Sequence, residues 1–448
     1  MDDTIAAIAT PPGNGGIGII RISGPQAEQI MMQVFCPSGK KKNIPESHRM
    51  MYGHIYDGEE IVDECMAVLM RSPKSYTCED VAEIQLHGGS YVLNRALQII
   101  LNSGARLADP GEFTKRSFLN GRVDLSRAEA VMNLISARGE QEHKAAIRQL
   151  NGGTSSFIRS FSDELYDLQA GLAACIDYPE EISDEEGTGH LISGLKKLIE
   201  KLENAVDEHT SRLIYQGLHI ALIGRPNVGK SSLLNALLGE ERAIVTDIPG
   251  TTRDTVQGEL TLNGIRITLT DTAGIRQTDD PVEKLGVERS EKARNEADAT
   301  LLIIDGSQPL ASEDLALLQH FYGEGAVIIN KSDLKLCITE KVICELRPEL
   351  TCITVSARDP DSLHAIRLFL QKFTEISDHI SLTQPRHLAA ARRAIIHMKN
   401  ALETLSLYTP DMASTDLHAA QLALSEITGD KADEKLLDRV FSRFCVGK

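Results

Sequence analysis

The stretch Gly224-Arg225-Pro226-Asn227-Val228-Gly229-Lys230-Ser231 decides how this 448-residue chain is read. An apolar run at 218–223 leads into it and a helical pattern at 232–238 leads out, the strand–loop–helix context a phosphate-binding loop requires. Backbone N–H groups of such a loop, with the N-terminus of the helix that follows, cradle polyphosphate. Lys230 is expected at the β- and γ-phosphates and the Ser231 hydroxyl on Mg²⁺, with Ser232 beside it on the first helical turn. By composition alone, a chance match in a chain this long is on the order of one or two per cent.

Three companions follow in order. Asp271, after the run 267–270, is placed to hold Mg²⁺ through water, and Thr272, Ala273 and Gly274 continue it so that the Gly274 N–H meets the γ-phosphate. Between loop and Asp271 lie Thr251 and Thr252, in Gly250-Thr-Thr-Arg-Asp254, where a switch threonine completes the Mg²⁺ shell. Asn330-Lys331-Ser332-Asp333, after the apolar run 326–329, reads the base: Asp333 accepts from guanine N1–H and the 2-amino group, which adenine cannot offer. Ser356-Ala357-Arg358 fits a backbone contact to guanine O6. Each motif alone also suits an ordinary turn; four in the right order point to a guanine-nucleotide switch.

Ile275 occupies the position where Ras-like enzymes carry the glutamine that orients the attacking water, so hydrolysis has to borrow another group. Glu283, in Asp279-Asp280-Pro281-Val282-Glu283, is the candidate, against the alternative of a solvated acidic loop. The Asn227 side-chain carbonyl suits a monovalent cation beside the phosphates, which stabilises transition-state charge as an arginine finger does.

Four further segments, Thr4-Ile-Ala-Ala-Ile-Ala-Thr-Pro-Pro12, Gly15-Gly-Ile-Gly-Ile-Ile-Arg-Ile-Ser-Gly24, Pro110-Gly-Glu-Phe-Thr-Lys-Arg116 and the final Phe444-Cys445-Val446-Gly447-Lys448, complete a pattern that runs through essentially the whole chain. With the switch motifs, they resemble the MnmE (TrmE) family of tRNA-modifying GTPases. The resemblance implies GTP hydrolysis and, with the flavoprotein MnmG (GidA), addition of a carboxymethylaminomethyl or aminomethyl group to C5 of the wobble uridine of certain tRNAs. It implies 5-formyltetrahydrofolate or another tetrahydrofolate derivative as one-carbon source, held by Arg21, Glu83, Arg122 and Lys448. A carboxylate such as Glu83 can pair with an aminopyrimidine edge and basic residues with carboxylate oxygens, which is sensible pterin chemistry. Arg122 replaces the lysine often found there, keeping the charge and changing the geometry.

The resemblance further implies K⁺ ligation by Asn227, Thr246, Ile248 and Thr251, Mg²⁺ ligation by Ser231 and Thr252, and Glu283 as the catalytic glutamate. The nucleotide then runs along Asn227, Val228, Gly229 and Lys230 and along Thr246, Asp247, Ile248, Pro249, Gly250, Thr251 and Thr252. Family members form homodimers through the first domain, and two GTPase heads meet when K⁺ and GTP are bound. Gln277 stands after Arg276 where a glutamate is usual, which alters any head-to-head contact made by that residue. Cys445 fits either of two roles: a thiolate attacking C6 of uridine, or a tail residue that orders the chain end.

Composition bounds the rest. The chain is long enough for two to four domains, and no amino-terminal apolar stretch with Lys/Arg flanks and no apolar run near 18 residues occurs. A cytoplasmic protein that does not enter a membrane is expected. None of the eight cysteines forms a C-x-x-C pair, which argues against a zinc ribbon or redox dithiol, and Gly447-Lys448 does not suit prenylation of Cys445. A net charge of −17 disfavours non-specific polyanion binding, so tRNA contacts need a local basic surface or a partner. Gly13-Asn14-Gly15-Gly16-Ile17-Gly18 satisfies G-x-G-x-x-G but leads into a β-type run, so a tight turn is expected there and not a dinucleotide site.

By pattern, 1–119 reads as an α+β domain, for which the resemblance implies folate binding and dimerisation, 120–216 as the first half of a helical domain, 217–376 as an inserted Ras-like doubly wound P-loop GTPase domain, and 377–448 as the second helical half. Ser126-x-x-Glu129 offers a capping box at the start of the helical part, and Asn263-Gly264 a hairpin turn before Asp271. Two other functions fit the bare residues: a regulatory or ribosome-assembly GTPase, disfavoured by the lack of a long basic face, and a folate-dependent transferase acting on a small molecule.

Overall fold

A computed structural model describes residues 3–38, 45–177, 184–239, 256–271, 297–376, 382–407 and 410–447. The chain clusters into two compact units, one of Met1–Ile135, Ile147–Leu202 and Ala389–Lys448, the other of Ser136–Ala146 and Glu203–Leu388.

The first unit opens on seven strands, β1 Ile5–Ile8, β2 Gly18–Ser23, β3 Phe35–Pro37, β4 Met51–Asp57, β5 Glu60–Met70, β6 Val81–Leu86 and β7 Arg106–Leu107, ordered β3-β4-β5-β6-β2-β1-β7. Alternation assigns their faces. Ile20 and Ile22 of β2 and Ala82, Ile84 and Leu86 of β6 enter the core under the helices Ala27–Val34 and Ser90–Asn102, where Ile30, Met31, Leu93, Ala96 and Ile100 meet them. Each large apolar side chain fully buried there contributes roughly 1.5–3 kcal/mol. Arg21 and Glu83 fall on the opposite face as direct cross-strand partners. The glycine-rich segment does run into a strand; a Cβ at Gly18 would lie 2.5 Å from the Leu93 side chain, so β2 packs closely under the helix Ser90–Asn102 at that point.

Helices Leu125–Ser136, Gly153–Asp177, Asp184–Ala205, Pro385–Leu407, Pro410–Thr428 and Glu434–Phe441 make up the helical part. Segments far apart in sequence pair within it: Gln169 Nε2 donates to the Leu417 carbonyl at 3.0 Å. The capping box expected at Ser126 is not formed. Asp124 takes the cap, its carboxylate accepting the Arg127 N–H at 2.9 Å, while Ser126 is fully buried one residue inside the helix with its carbonyl bonded by Gln149. The final helix and the tail press Phe441 and Phe444 against Phe118 and Leu125.

The second unit is built on strands β8 Leu218–Ile223, β9 Val256–Leu262, β10 Ile265–Asp271, β11 Ala299–Asp305, β12 Gly325–Asn330 and β13 Thr351–Thr354, ordered β13-β12-β11-β8-β10-β9. All neighbours are parallel except the edge strand β9, which pairs antiparallel with β10. Near-continuous apolar strands are what a parallel sheet covered on both faces requires. Leu218, Ile220 and Leu222 of β8 enter one core while Ala221 and Ile223 enter the other. The expected hairpin forms at Asn263-Gly264, both at positive φ (51° and 76°), the pairing a type I′ turn needs. The architecture is thus mixed: an α+β amino-terminal sheet, a helical part, and a doubly wound α/β sheet inserted in the chain between helical segments.

Candidate functional site

Parallel strands of a doubly wound sheet bind ligands beyond their C-terminal ends. There, β8 leads into the loop 224–229 and the helix Lys230–Gly239, β10 ends at Asp271, β11 at Asp305 and β12 at Asn330. The loop turns tightly: Gly224 and Gly229 sit at φ 148° and 101°, and a Cβ on either would come within 2.4 Å of the Ile303 carbonyl or of Asn330 Nδ2. Asn227 occupies the left-handed region at φ 64°, which asparagine tolerates, and is exposed.

Lys230 is nearly buried, and its ammonium donates to the carbonyls of Gly224 and Arg225, both at 2.8 Å, so the cation is held over the loop mouth. Burial pushes its pKa below the ordinary lysine value, against which nearby Asp271 acts. Ser231 Oγ donates to Asp271 Oδ2 at 2.6 Å, bringing two hard oxygen donors from different elements together. Such a pair fits Mg²⁺, which is held by one or two protein oxygens and otherwise by water and phosphate.

The residues expected to read the base converge from β12 and β13. Asn330 is buried and donates through Nδ2 to the Val228 carbonyl at 2.9 Å while its Oδ1 accepts the Ala357 N–H at 3.2 Å, tying phosphate loop to base loop. Asp333 Oδ1 accepts from Ser356 Oγ at 2.7 Å, and this hydrogen bond holds its carboxyl below the usual aspartate range. Ser332 N–H donates to the Val355 carbonyl at 3.1 Å, and Arg358 stands 3.6 Å from Asp333 with an exposed side chain.

Two pairs escaped the sequence reading. Lys331 Nζ bridges Asp305 Oδ2 (2.6 Å) and the Asn227 carbonyl (3.1 Å). Burial of Asp305 opposes ionisation, but the Lys331 and Ser307 hydrogen bonds leave its pKa lowered. Arg225 Nε donates to buried Asp314 Oδ1 at 2.7 Å. An aspartate closing the apolar run Leu301–Ile304 was the available signal for Asp305; Asp314, inside an ordinary helix start, offered none. Thr246, Asp247, Ile248, Pro249, Gly250, Thr251, Thr252, Thr272, Ala273, Gly274, Arg276, Gln277 and Glu283 lie outside the described residues, as does Lys448.

A second cluster forms in the amino-terminal unit. Arg21 Nε donates to Glu83 Oε1 at 2.8 Å, and Arg21 Nη1 to the Gly447 carbonyl at 3.3 Å. The Tyr76 ring lies between two guanidinium groups, Arg21 at 5.3 Å and Arg122 at 5.1 Å from its centroid, and Arg122 Nη1 also donates to the Tyr76 carbonyl at 2.9 Å. A cavity of about 530 Å³ opens beside them, lined by Arg122, Tyr76, Asn120, Lys74, His48 and Met70. Three of the four expected folate residues therefore meet directly or through Tyr76, with the residue preceding the fourth, Lys448, in contact. A carboxylate acceptor suits a pterin's aminopyrimidine edge and guanidinium donors suit an acidic tail. Cys445 is exposed, and its carbonyl accepts the Gly111 N–H at 3.4 Å. That contact docks the tail on the Pro110–Arg116 segment, whose Arg116 is wholly buried among Asp3, Glu79 and Glu112.

Among the described residues no helix is long and apolar enough to cross a membrane, and no cluster of three or more His, Cys, Asp or Glu could hold a metal ion.

Residues 4–122 match the family model "GTP-binding protein TrmE N-terminus" and residues 125–445 the "MnmE helical domain". The tRNA modification GTPase MnmE of Listeria welshimeri is 43% identical over 457 residues, covering 100% of this chain and 99% of its own. That of Heliobacterium modesticaldum is 42% identical over 465 residues, covering 100% of both. Among solved structures, a single-substitution variant of Aquifex aeolicus Era bound to GDP and tetrafluoroaluminate is 30% identical with a TM-score of 0.29, covering 41% of this chain and 67% of that one. The family assignment rests on the full-length relatives and the family models, which together span nearly every residue. This chain belongs to the MnmE (TrmE) family of tRNA modification GTPases.

Proposed function

We propose that this GTPase uses hydrolysis to drive a folate-dependent modification at C5 of the wobble uridine, U34, of certain tRNAs, acting with a flavoprotein of the MnmG (GidA) kind. The observation that carries the reading is the coexistence in one chain of a phosphate loop with its Ser231–Asp271 pair and of the Arg21–Glu83–Tyr76–Arg122 cluster beside Gly447. In this reading residues 217–376 are the GTPase head, 120–216 and 377–448 the two helical halves, and 1–119 the folate-binding and dimerising domain of a cytoplasmic homodimer.

Ser231 and Asp271, with Thr252, would hold Mg²⁺, and Asn227, Thr246, Ile248 and Thr251 would hold K⁺. Both ions supply positive charge against that which accumulates on the transferring phosphoryl oxygens. Lys230, already fixed by two carbonyls, needs little reorganisation to meet the β- and γ-phosphates. Asp333, kept ionised by Ser356, accepts from guanine N1–H and the 2-amino group. The Ala357 N–H donates to Asn330 Oδ1, so a guanine O6 contact there would share that single hydrogen or take it over. Glu283 orients or activates the attacking water.

A tetrahydrofolate derivative would supply the one-carbon unit. Glu83 is oriented for its aminopyrimidine edge by Arg21, and Tyr76 offers a flat face beside Arg122. Cys445, exposed at the tail, is the candidate nucleophile for uridine C6. The test is wobble-uridine analysis of tRNA from a deletion strain complemented with the wild-type chain, Glu83→Gln and Cys445→Ser. Restoration by wild type alone supports the whole reading; restoration by Cys445→Ser removes the nucleophile role. Normal tRNA in the deletion strain would leave a regulatory GTPase as the better description.

A further inference from the structure

The hairpin of β9 and β10 joins the two flanks of the nucleotide site. Its first strand starts at Val256, four residues after Thr252, and its second ends at Asp271, hydrogen-bonded to Ser231. The strands pair without interruption from Val256↔Asp271 to Leu262↔Ile265. Seven residues separate Asp271 from Gly264 at the tip, about 23 Å of extended strand.

The tip is seated on a segment that precedes the nucleotide-binding sheet by more than seventy residues in sequence, Ser136–Ala146, which clusters with this unit and not with the helical part on either side of it. Gln141 N–H donates to the Gly264 carbonyl at 3.1 Å, Gln141 Nε2 to the Asn263 carbonyl at 3.3 Å, and Arg138 lies 3.7 Å from Glu259 on β9. Ala145 packs on the core beneath the sheet. The backbones touch with no slack: a Cβ on Gly139 would stand 2.6 Å from the Gly264 carbonyl oxygen, and one on Gly264 would stand 3.0 Å from Glu140 Cβ. Gly139 has no positive φ, so only this approach, and not its own conformation, requires glycine.

We propose that the β9–β10 hairpin is a lever that carries the state of the bound nucleotide from Asp271 to the seat at Arg138–Gln141, and from there along the helix Glu140–Leu150 into the helical part. A hydrogen-bonded strand pair moves as a body, because slipping register would turn every side chain to the wrong face. Such coupling requires of the seat two discrete arrangements, of which the engaged one is seen. The inference rests on the GTPase reading above.

The test is hydrogen–deuterium exchange of the full-length chain with saturating GDP or a non-hydrolysable GTP analogue. Peptides spanning 138–147 are followed while binding of a fluorescent nucleotide is measured alongside. Exchange in this segment should differ at least about fivefold between the two states, the lower end of ordinary coupling. Gly139→Ala should abolish that difference in a protein that still binds both nucleotides, and Gln141→Ala, which removes one side-chain hydrogen bond and no backbone contact, should reduce it. Identical exchange in both states of a wild-type chain that binds both nucleotides overturns the lever and leaves the GTPase reading intact. A difference that survives in a folded Gly139→Ala protein overturns it as well. Failure to bind either nucleotide overturns the GTPase reading and the lever with it.

Discussion

Asp333 and Arg116 are both charged groups fixed by their neighbours, one exposed in the loop after β12 and one wholly buried. The Asp333 carboxylate is aimed by a neutral donor, Ser356 Oγ, and keeps acceptor capacity for a base. Asparagine there keeps the shape and loses one acceptor, so Asp333→Asn should weaken GDP binding by at least about 100-fold, since a site built to hydrogen-bond a group rejects a mismatch strongly. Affinity for xanthosine diphosphate, with a carbonyl in place of the 2-amino group, should rise; competition titration with a fluorescent nucleotide checks both. Arg116, by contrast, has no exposed surface and neutralises Asp3, Glu79 and Glu112 at 2.8–3.1 Å. Arg116→Met should destabilise the chain by about 3–5 kcal/mol in urea unfolding, because three carboxylates lose their shared cation. Burial would raise the Glu112 pKa, but Arg106, the Asp109 N–H and Arg116 leave it below the usual glutamate value of 4.5, and Asp3 is lowered by Arg106 first and Arg116 next. A depressed carboxylate stabilises fully above its unfolded-state pKa and loses that contribution as pH falls through the folded value. The urea midpoint should therefore hold between about pH 6 and pH 7 and drop below about pH 4.5, less steeply in Arg116→Met.

At the scale of elements, the last residue of the tail 442–447 rests on a close backbone approach. Gly447 sits at φ 94°, and a Cβ there would lie 2.4 Å from the Ile8 carbonyl oxygen and 2.9 Å from Ala9 Cα. Gly447→Ala should lift the chain end from β1, releasing the hydrogen bond from Arg21 and displacing Lys448. Binding of 5-formyltetrahydrofolate, measured calorimetrically, should fall at least about tenfold, the worth of one charge-assisted hydrogen bond. GTP hydrolysis should be unchanged, and an unaltered folate affinity would separate the tail from that site. The elements legible in sequence were those with local chemistry: β8 with its glycine loop and helix, the Asn-Gly hairpin, and the apolar strands ending in Asp271 and Asn330. Arg116 with Asp3, and Tyr76 with Arg21 and Arg122, were not legible, because those partners lie far apart in the chain, 113 residues for Arg116 and Asp3, and no period links them. The misplaced cap has a local cause. Asp124 and Ser126 are both good caps two residues apart, and burial of Ser126 against Gln149, set by tertiary packing, decided between them.

For the whole molecule, charge and cation dependence argue together. A chain with a net charge of −17 that works on tRNA must concentrate its phosphate contacts locally or receive them from a partner, so tRNA affinity should be weak alone and strongly reduced by salt. Salt type is a separate variable from salt strength, and the exposed Asn227 in its left-handed turn is where the two part. In the proposed mechanism a K⁺ ion held there would act beside the phosphates as an arginine finger does, whereas Na⁺, smaller and more tightly hydrated, would fit the same oxygens poorly. At equal ionic strength, hydrolysis by the purified chain should be at least about tenfold faster in KCl than in NaCl, a small part of what a fully placed finger supplies. Glu283→Ala should lower the KCl rate by about 100-fold or more, the usual loss of a positioned acid–base group, while nucleotide affinity holds. Single-turnover hydrolysis with binding measured in parallel reads both. Equal rates in the two salts would remove the cation from the mechanism. An active Glu283→Ala protein would return the segment 279–283 to an acidic loop and require the water to be oriented by another group.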